Sequence, residues 1–257
     1  MKIIICGYSG KMGQAVMRAA KNDSECEVVA GVDINFSEKS ELPVYKNINE
    51  VKERADVVID FSNPAAFDGL IEYSKNTNTP VVICTTGLSS DQMEKMKYVS
   101  EVLPVFYSRN MSLGVNLLVE LSKITAKILG SNFDIEIIEK HHNQKIDAPS
   151  GTALMLAEEI SEEIPNGVEY IYDRTKTRKS RSKSEIGIHS VRGGTIVGDH
   201  DVIFAGEKEV VVLSHHAESR EIFANGAIKA AKFLVSQESG FYTMKDIINN
   251  TLNLNVR

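Results

Sequence analysis

Proton-transfer groups and an apparent helix start run together from Glu139 to Ala153, in the order Glu-Lys-His-His-Asn-Gln-Lys-Ile-Asp-Ala-Pro-Ser-Gly-Thr-Ala. The imidazoles of His141 and His142 can exchange protons near neutral pH, and Lys145 becomes a usable acid where it is partly desolvated or crowded by other cations. Pro149, Ser150, Gly151 and Thr152 precede Ala153, Leu156, Ala157, Ile160 and Ile164, which repeat at helical spacing. Ser150 reads as the N-cap. Gly151 and Thr152 would then offer first-turn N–H groups, with a hydroxyl beside them, to a carboxylate. Such a segment can hold a small anion and protonate it. The plainer reading is a polar loop with two solvated histidines. A zinc site is disfavoured, because adjacent histidines point apart in an extended chain and no cysteine or H-x-x-x-H spacing supports one.

A second constellation, Gly7-Tyr8-Ser9-Gly10-Lys11-Met12-Gly13, follows a strand-like run and begins a helical one. Glycines there permit a tight turn and let backbone N–H groups approach a pyrophosphate. The spacing G-x-x-G-x-x-G is a variant of the commoner G-x-G-x-x-G, and alone it could be a structural turn. Asp33 lies at the end of the next strand, where a carboxylate can accept hydrogen bonds from ribose hydroxyls. Together they predict a nicotinamide dinucleotide as the redox partner of the proton donors. The Asp33 carboxylate would repel a ribose 2′-phosphate, and Ile34 and Asn35 supply no cation, which favours NADH over NADPH. Lys11 could still reach a 2′-phosphate, so use of both remains open. Asp60-Phe61-Ser62-Asn63-Pro64 and Cys84-Thr85-Thr86-Gly87 also fall at strand ends, where ligands of parallel sheets collect, although turn and cap chemistry accounts for the same residues.

The elements that must position these groups alternate through the first 110 residues. Ile3 to Cys6, Glu27 to Val32, Asp56 to Phe61, Val81 to Cys84 and Val105 to Tyr107 read as strands. Met12, Val16, Ala19 and Ala20 share a helical face, and Pro64 opens another helix with Ala66, Phe67, Leu70, Ile71 and Ser74 on one face. Such alternation predicts a parallel, Rossmann-type sheet. After Ser112 the pattern changes: Leu117, Leu118, Leu121, Ile124 and Ile128 mark a long helix ending at Gly130. Strand-like segments follow at Phe133 to Glu139, Glu169 to Tyr172, Glu185 to Val191, Thr195 to Ala205 and Val210 to His215, with a hairpin through Gly206 to Glu209. These predict a second, α+β domain with a mixed or largely antiparallel open sheet. Arg220 to Val235 and Thr243 to Asn250 return to helix and could pack against either domain.

The 257 residues suffice for one large domain or two modest ones, and 42% hydrophobic with 25% charged residues is an ordinary globular balance. A net charge of -6 argues against nucleic-acid binding. No apolar run approaches the roughly 18 residues that span a bilayer, and no signal peptide precedes the first strand, so a cytoplasmic protein without membrane attachment is expected. Cys6, Cys26 and Cys84 lack metal-ligand spacing and read as inert thiols. Arg174, Lys176, Arg178, Lys179, Arg181 and Lys183 crowd into one loop without a visible acidic partner. That predicts a solvated loop, with a lid attracting anionic ligands as the functional alternative.

The run E-K-H-H-N-Q-K-I-D-A-P-S-G-T-A resembles the signature of the 4-hydroxy-tetrahydrodipicolinate reductases, historically called dihydrodipicolinate reductases. The likeness extends through Gly7 to Gly13, Asp60-Phe61-Ser62, Thr85-Thr86-Gly87, Asn110 to Asn116, Arg192-Gly193-Gly194, Ile196-Val197-Gly198, Ser219-Arg220 and Phe223-Ala224. It implies a discontinuous dinucleotide-binding domain of residues 1–112 and 220–257, and a substrate-binding and tetramerisation domain of residues 113–219. The implied reaction is NAD(P)H-dependent reduction of 4-hydroxy-tetrahydrodipicolinate, a cyclic dicarboxylate, to tetrahydrodipicolinate, with loss of water, in diaminopimelate and lysine biosynthesis. By this resemblance His141 is the acid/base residue and Lys145 the proton donor, while His142, Ser150, Gly151 and Thr152 hold the substrate. Cofactor positions are Gly7, Tyr8, Ser9, Gly10, Lys11, Met12, Asp33, Cys84, Thr85, Thr86, Ser108, Arg109, Asn110, Met111, Arg220 and Phe223. No metal is implied. Met111 stands where phenylalanine is usual and Cys84 where glycine is common, while Ile34, where some members carry arginine, weakens an NADPH-only assignment. Two other classes compete: a different nicotinamide-dependent dehydrogenase of amino-acid metabolism, and a dinucleotide-sensing protein without turnover.

Overall fold

The computed structural model describes residues 1–37, 40–165, 167–175 and 178–252. The first stretch alternates β1 (Lys2–Cys6), α1 (Lys11–Lys21), β2 (Glu27–Val32), β3 (Val44–Tyr45), β4 (Val57–Asp60), α2 (Phe67–Thr77), β5 (Val81–Ile83), α3 (Ser90–Ser100) and β6 (Pro104–Tyr107). Next come α4 (Leu113–Leu129), β7 (Asp134–His141), α5 (Gly151–Ser161), β8 (Glu169–Ile171), β9 (Glu185–Arg192), β10 (Gly198–Ala205) and β11 (Val210–Ala217). The described chain closes with α6 (Glu221–Leu234), β12 (Gly240–Tyr242) and α7 (Met244–Thr251). Two compact units result, Met1–Leu113 with Arg220–Arg257, and Gly114–Ser219.

In the first unit every strand pairing is parallel, in the order β12-β6-β5-β4-β1-β2-β3. Strands covered on both faces must be apolar at successive positions, and Ile3, Ile4 and Ile5 are all fully buried. Alternation then sends Ile3 and Ile5 to the layer holding Val16 and Ala20 of α1 and Ala227 and Ala231 of α6. Ile4 joins Leu70, Ile71, Met96 and Val99 of α2 and α3 on the other face. This is a three-layer, doubly wound Rossmann-type sheet, whose direction of winding reverses between β1 and β4. The parallel sheet is larger than the sequence pattern predicts. It adds β3 and, at the far edge, β12, which pairs with β6 through Gly240 to Tyr242.

The second unit carries the mixed sheet β11-β10-β7-β9-β8. Two pairings are antiparallel and two parallel, so it is mixed rather than largely antiparallel. The expected hairpin joins β10 to β11, with Gly206 N–H donating to the Glu209 carbonyl at 2.9 Å. Ile135, Ile137, Ile186, Ile188, Val202 and Phe204 point to one face, where Val115, Leu118 and Val119 of α4 and Leu156 and Ile160 of α5 cover them. Along β7 buried and half-buried positions alternate strictly, as a sheet covered on one face requires. The opposite face of α4 presents Leu117, Leu121, Ile124 and Ile128 to solvent.

The basic loop is not a solvated loop without acidic partners. Arg174 donates to Glu185 at 2.5 Å and to Glu136 at 2.9 Å, and Arg181 donates to Asp134 at 2.9 Å and to Glu136 at 3.0 Å. Arg181 also donates to the Ile135 and Glu185 carbonyls, while Lys179 and Lys183 lie within ion-pair distance of Glu185 and Asp134. The acids come from β7 and β9, whose parallel pairing brings them beside the loop. Two arginines are thereby committed to the sheet; Lys176 lies outside the described residues. Among the described residues, no helix is long and apolar enough to cross a membrane.

Candidate active site

The glycine loop leaves β1 at its carboxyl end. Gly7 has φ 75°, and a side chain there would meet the Phe61 carbonyl oxygen, at the end of β4, at 2.4 Å. A Cβ on Gly13 would lie 2.2 Å from the Gly7 oxygen, so α1 begins hard against the loop. Gly10 caps α1 without a side-chain hydrogen bond, and its first turn, through Lys11 and Met12, carries no acidic residue. The positive end of the helix is therefore left for an anion. At the end of β2, Asp33 accepts hydrogen bonds from Ser9 N–H and Asn35 N–H, each at 2.9 Å. Tyr8, Ser9, Asn35, Phe36 and Ser40 line a cleft of about 560 Å³ beside it, with the Tyr8 and Phe36 rings edge to face. A cradle that a Cβ would fill, an uncapped helix start and an acidic strand end fit a dinucleotide.

A second cleft of about 320 Å³ lies at the ends of β4, β5 and β6. Met12, Phe61, Ser62, Cys84, Thr85, Thr86, Ser108, Arg109, Asn110, Met111 and Phe223 line it. Behind it Asp60, 2% exposed, accepts from Ser62 Oγ at 2.5 Å and from Thr85 Oγ1 at 2.7 Å. Burial raises the Asp60 carboxyl above its usual value against those hydrogen bonds, and it pushes the Cys6 and Cys84 thiols well up. Both thiols are accordingly poor nucleophiles. Arg220 stands exposed at the N-cap of α6, outside this lining, whereas Phe223 belongs to it. The larger cleft, of about 690 Å³ beside α1 and α6, is a different place, where Lys232 pairs with Asp23 and Glu25.

The histidine and lysine segment belongs to the second unit. His141 is not in a solvated loop; it is the last residue of β7 and 9% exposed. Its Nδ1 lies 2.6 Å from Oε2 of Glu139, a fully buried carboxylate two residues earlier on the same strand face. Arg192, at the end of β9, grips both Glu139 oxygens at 2.8 and 2.7 Å. Burial alone would raise the Glu139 carboxyl, but hydrogen bonds from Arg192 and His141 hold it down to about 2. His141 is lowered by burial, partly offset by Glu139. His200 of β10 lies edge to face with His141 at 5.3 Å, and burial, followed by the His141 charge, takes it down to about 4.

Beyond β7 the chain turns back on itself. Gly193 N–H donates to the His141 carbonyl at 2.9 Å and Asn143 N–H to the Gly194 carbonyl at 3.2 Å. His142 is half-buried and Lys145 pairs with Asp147 at 2.8 Å. Ser150 is the N-cap of α5 and is 2% exposed. Its Oγ accepts from Ala153 N–H at 3.1 Å and lies 3.0 Å from His200 Nε2, while its own N–H donates to Glu139 at 3.1 Å. These commitments make Ser150 a builder of the helix start more than a substrate contact. Gly151 is exposed, Thr152 half-buried, and the first turn of α5 carries no acid. Glu139, Arg192 and His200, to which sequence reasoning assigned no role, thus surround His141; the one local signal was the two-residue spacing of Glu139 and His141 on a strand. Among the described residues no group of three or more His, Cys, Asp or Glu could hold a metal ion.

Comparison with known proteins places these features in a family. Residues 1–111 match the family model "Dihydrodipicolinate reductase, N-terminus", and residues 114–248 match "Dihydrodipicolinate reductase, C-terminus". A 4-hydroxy-tetrahydrodipicolinate reductase of Caldanaerobacter subterraneus subsp. tengcongensis is 53% identical over 96% of this chain and 98% of its own length. One from Clostridium novyi is 48% identical over 97% and 98%. Among solved structures, a dipicolinate-bound dihydrodipicolinate reductase from Paenisporosarcina sp. TG-14 superposes with a TM-score of 0.80 at 27% identity, covering 95% of this chain and 97% of that one. A myo-inositol dehydrogenase from Corynebacterium glutamicum shares the fold alone, with a TM-score of 0.59 at 16% identity over 94% and 90%. With both halves matched and relatives near half-identical along the whole length, the chain belongs to the dihydrodipicolinate reductase family.

Proposed function

We propose that this protein catalyses the NAD(P)H-dependent reduction of 4-hydroxy-tetrahydrodipicolinate to tetrahydrodipicolinate in diaminopimelate and lysine biosynthesis, in the cytoplasm. The observation that carries the reading is the meeting of His141 and Lys145 on the 141–151 segment with an α5 start that has no acid in its first turn. A dicarboxylate suits that helix start, and a planar dicarboxylate, dipicolinate, is bound by the related Paenisporosarcina protein. When bound, the reduced nicotinamide supplies the hydride. The chain's own residues complete the balance of one hydride and one proton added and one water lost. His141 and Lys145 exchange protons with the substrate, and the N–H groups of Gly151 and Thr152, with His142, hold its carboxylates. Asp147 keeps the Lys145 ammonium beside the segment instead of in bulk water.

Gly7 to Met12 and Asp33 would bind the pyrophosphate and adenosine ribose, and the 320 Å³ cleft would take the nicotinamide end. NADH is the favoured cofactor because Asp33 accepts from ribose hydroxyls and repels a 2′-phosphate; exposed Lys11 leaves NADPH usable. The half-covered sheet of the second unit supports assembly into a homotetramer of the 28.4 kDa chain. The test is direct. Mixed with NADH and freshly generated substrate, the protein should oxidise the cofactor, followed by loss of nicotinamide absorbance. Cofactor binding without turnover above a buffer blank would defeat the reading and favour a sensor. Light scattering should give the mass of four chains.

A further inference from the structure

We infer that Glu139 and Arg192 are a positioning pair for the two proton-transfer groups, Glu139 setting the tautomer of His141 and Arg192 tying that carboxylate to the loop that bears Lys145. The inference rests on the reductase reading. Glu139 is fully buried and accepts from His141 Nδ1 and Arg192 Nη1 on Oε2 at 2.6 and 2.8 Å, from Arg192 Nη2 and Ser150 N on Oε1 at 2.7 and 3.1 Å, and from the Ser190 hydroxyl. A carboxylate gripped by a two-pronged guanidinium stays ionised and can only accept. The hydrogen on neutral His141 must therefore sit on Nδ1, which leaves the Nε2 lone pair as the atom that trades protons. Gly198 keeps that edge open, since a Cβ on it would lie 3.0 Å from Nε2.

Sheet register builds the cluster. His141 stands opposite Arg192 in the parallel pairing of β7 with β9, and Glu139 stands opposite His200 in the antiparallel pairing with β10. Arg192 Nη2 donates as well to the Asp147 carbonyl at 2.6 Å, and the Asp147 carboxylate holds Lys145 at 2.8 Å. An unbroken line thus runs Lys145, Asp147, Arg192, Glu139, His141. The charges facing His141 are Glu139 on β7, Arg192 on β9, His200 on β10 and Lys145, with Asp147 beside it, on the loop. Of these, Glu139 favours the imidazolium, whereas Arg192 and Lys145 oppose it. A pair that served stability alone would gain little over apolar residues of the same size, because burying two charges costs about what their attraction returns.

The experiment uses full-length protein labelled with ¹⁵N-histidine, together with kcat-pH profiles at saturating NADH, for wild type, Glu139→Gln and Arg192→Lys. Wild-type His141 should show the Nδ1–H tautomer. Glu139→Gln removes the negative charge, so the His141 titration and the corresponding limb of the kcat profile should move to lower pH by about one unit, with kcat down at least tenfold. Arg192→Lys keeps a cation without the two-pronged grip and should cut kcat about tenfold, with the NADH Kd within twofold of wild type. An Nε2–H tautomer in wild type, or folded variants with unaltered His141 titration and kcat profile, overturns the inference. So does loss of stability alone. Should Glu139→Gln not fold, the wild-type spectrum and Arg192→Lys decide. Absence of turnover by wild type would instead defeat the reductase reading, and the tautomer would still be read from the spectrum.

Discussion

His200 makes the second unit acid-labile in a defined pH window. It is 4% exposed, its Nε2 is engaged by Ser150 Oγ, and burial holds its imidazole down from 6.5 to about 4. Between those values the unfolded chain takes up a proton that the folded chain refuses. The resulting stabilisation is fully present above pH 6.5 and is lost as pH falls towards 4. At about 1.4 kcal/mol per pH unit, that difference is on the order of 3 kcal/mol, a large share of an ordinary domain's stability. His141 and His215, also lowered by burial, act in the same direction. Glu139 acts in a separate window: held at about 2 against 4.5 when unfolded, its contribution is complete above 4.5 and fades only below. Urea unfolding followed by far-ultraviolet circular dichroism at pH 7 and pH 4 tests this in wild type and His200→Gln. Glutamine can still meet Ser150 but does not titrate. Between the two pH values wild type should lose about 3 kcal/mol more than the variant. Equal losses in both proteins would refute the assignment of the window to His200.

Three further outcomes follow from the site geometry. Lys145→Ala should lower kcat by on the order of 10²-fold with NADH affinity nearly unchanged, as loss of a general acid does; equal loss of NADH binding by calorimetry would make Lys145 a cofactor residue. Asp33→Ala should raise the Kd for NADH more than that for NADPH, since it removes both a ribose acceptor and a charge that opposes a 2′-phosphate; the opposite order in paired titrations refutes the ribose assignment. Gly13→Ala would set a methyl 2.2 Å from the Gly7 oxygen. It should weaken NADH binding at least tenfold in protein that remains folded by circular dichroism, and wild-type affinity would show that the loop yields more easily than this contact implies.

The parts of this fold legible in sequence are those whose requirements are local. Strands such as Val57–Asp60, buried on both faces, must be apolar at nearly every position, and such runs stand out between helical repeats. The glycine loop is legible for the same reason, because the positive φ of Gly7 and the Gly7 and Tyr8 carbonyls that crowd Gly13 belong to the strand-to-helix turn itself, whereas the Phe61 oxygen that also bars a side chain at Gly7 comes from the end of β4. β3 and β12 were not legible: two and three residues cannot display a period, and they are strands only because β2 and β6 offer unpaired edges.

The site divides along the same line. Histidine and lysine announce proton transfer by type, and a serine ahead of a helical repeat announces a cap; Ser150 proved to be that cap, with Glu139 and His200 claiming the rest of its hydrogen-bonding capacity. What prepares His141 was hidden, because Arg192 and His200 reach it through strand register over separations of 51 and 59 residues in numbering. The basic loop was misread by the same mechanism: Arg174 and Arg181 look unpaired until β7 and β9 deliver Asp134, Glu136 and Glu185. Register also determines what substitution can do. A one-residue slip of β7 against β9 would turn Glu139 and His141 to the opposite face and leave Arg192 without its carboxylate, so the alternation of buried and half-buried residues along β7 holds the Glu139–His141 contact in place as well as the core.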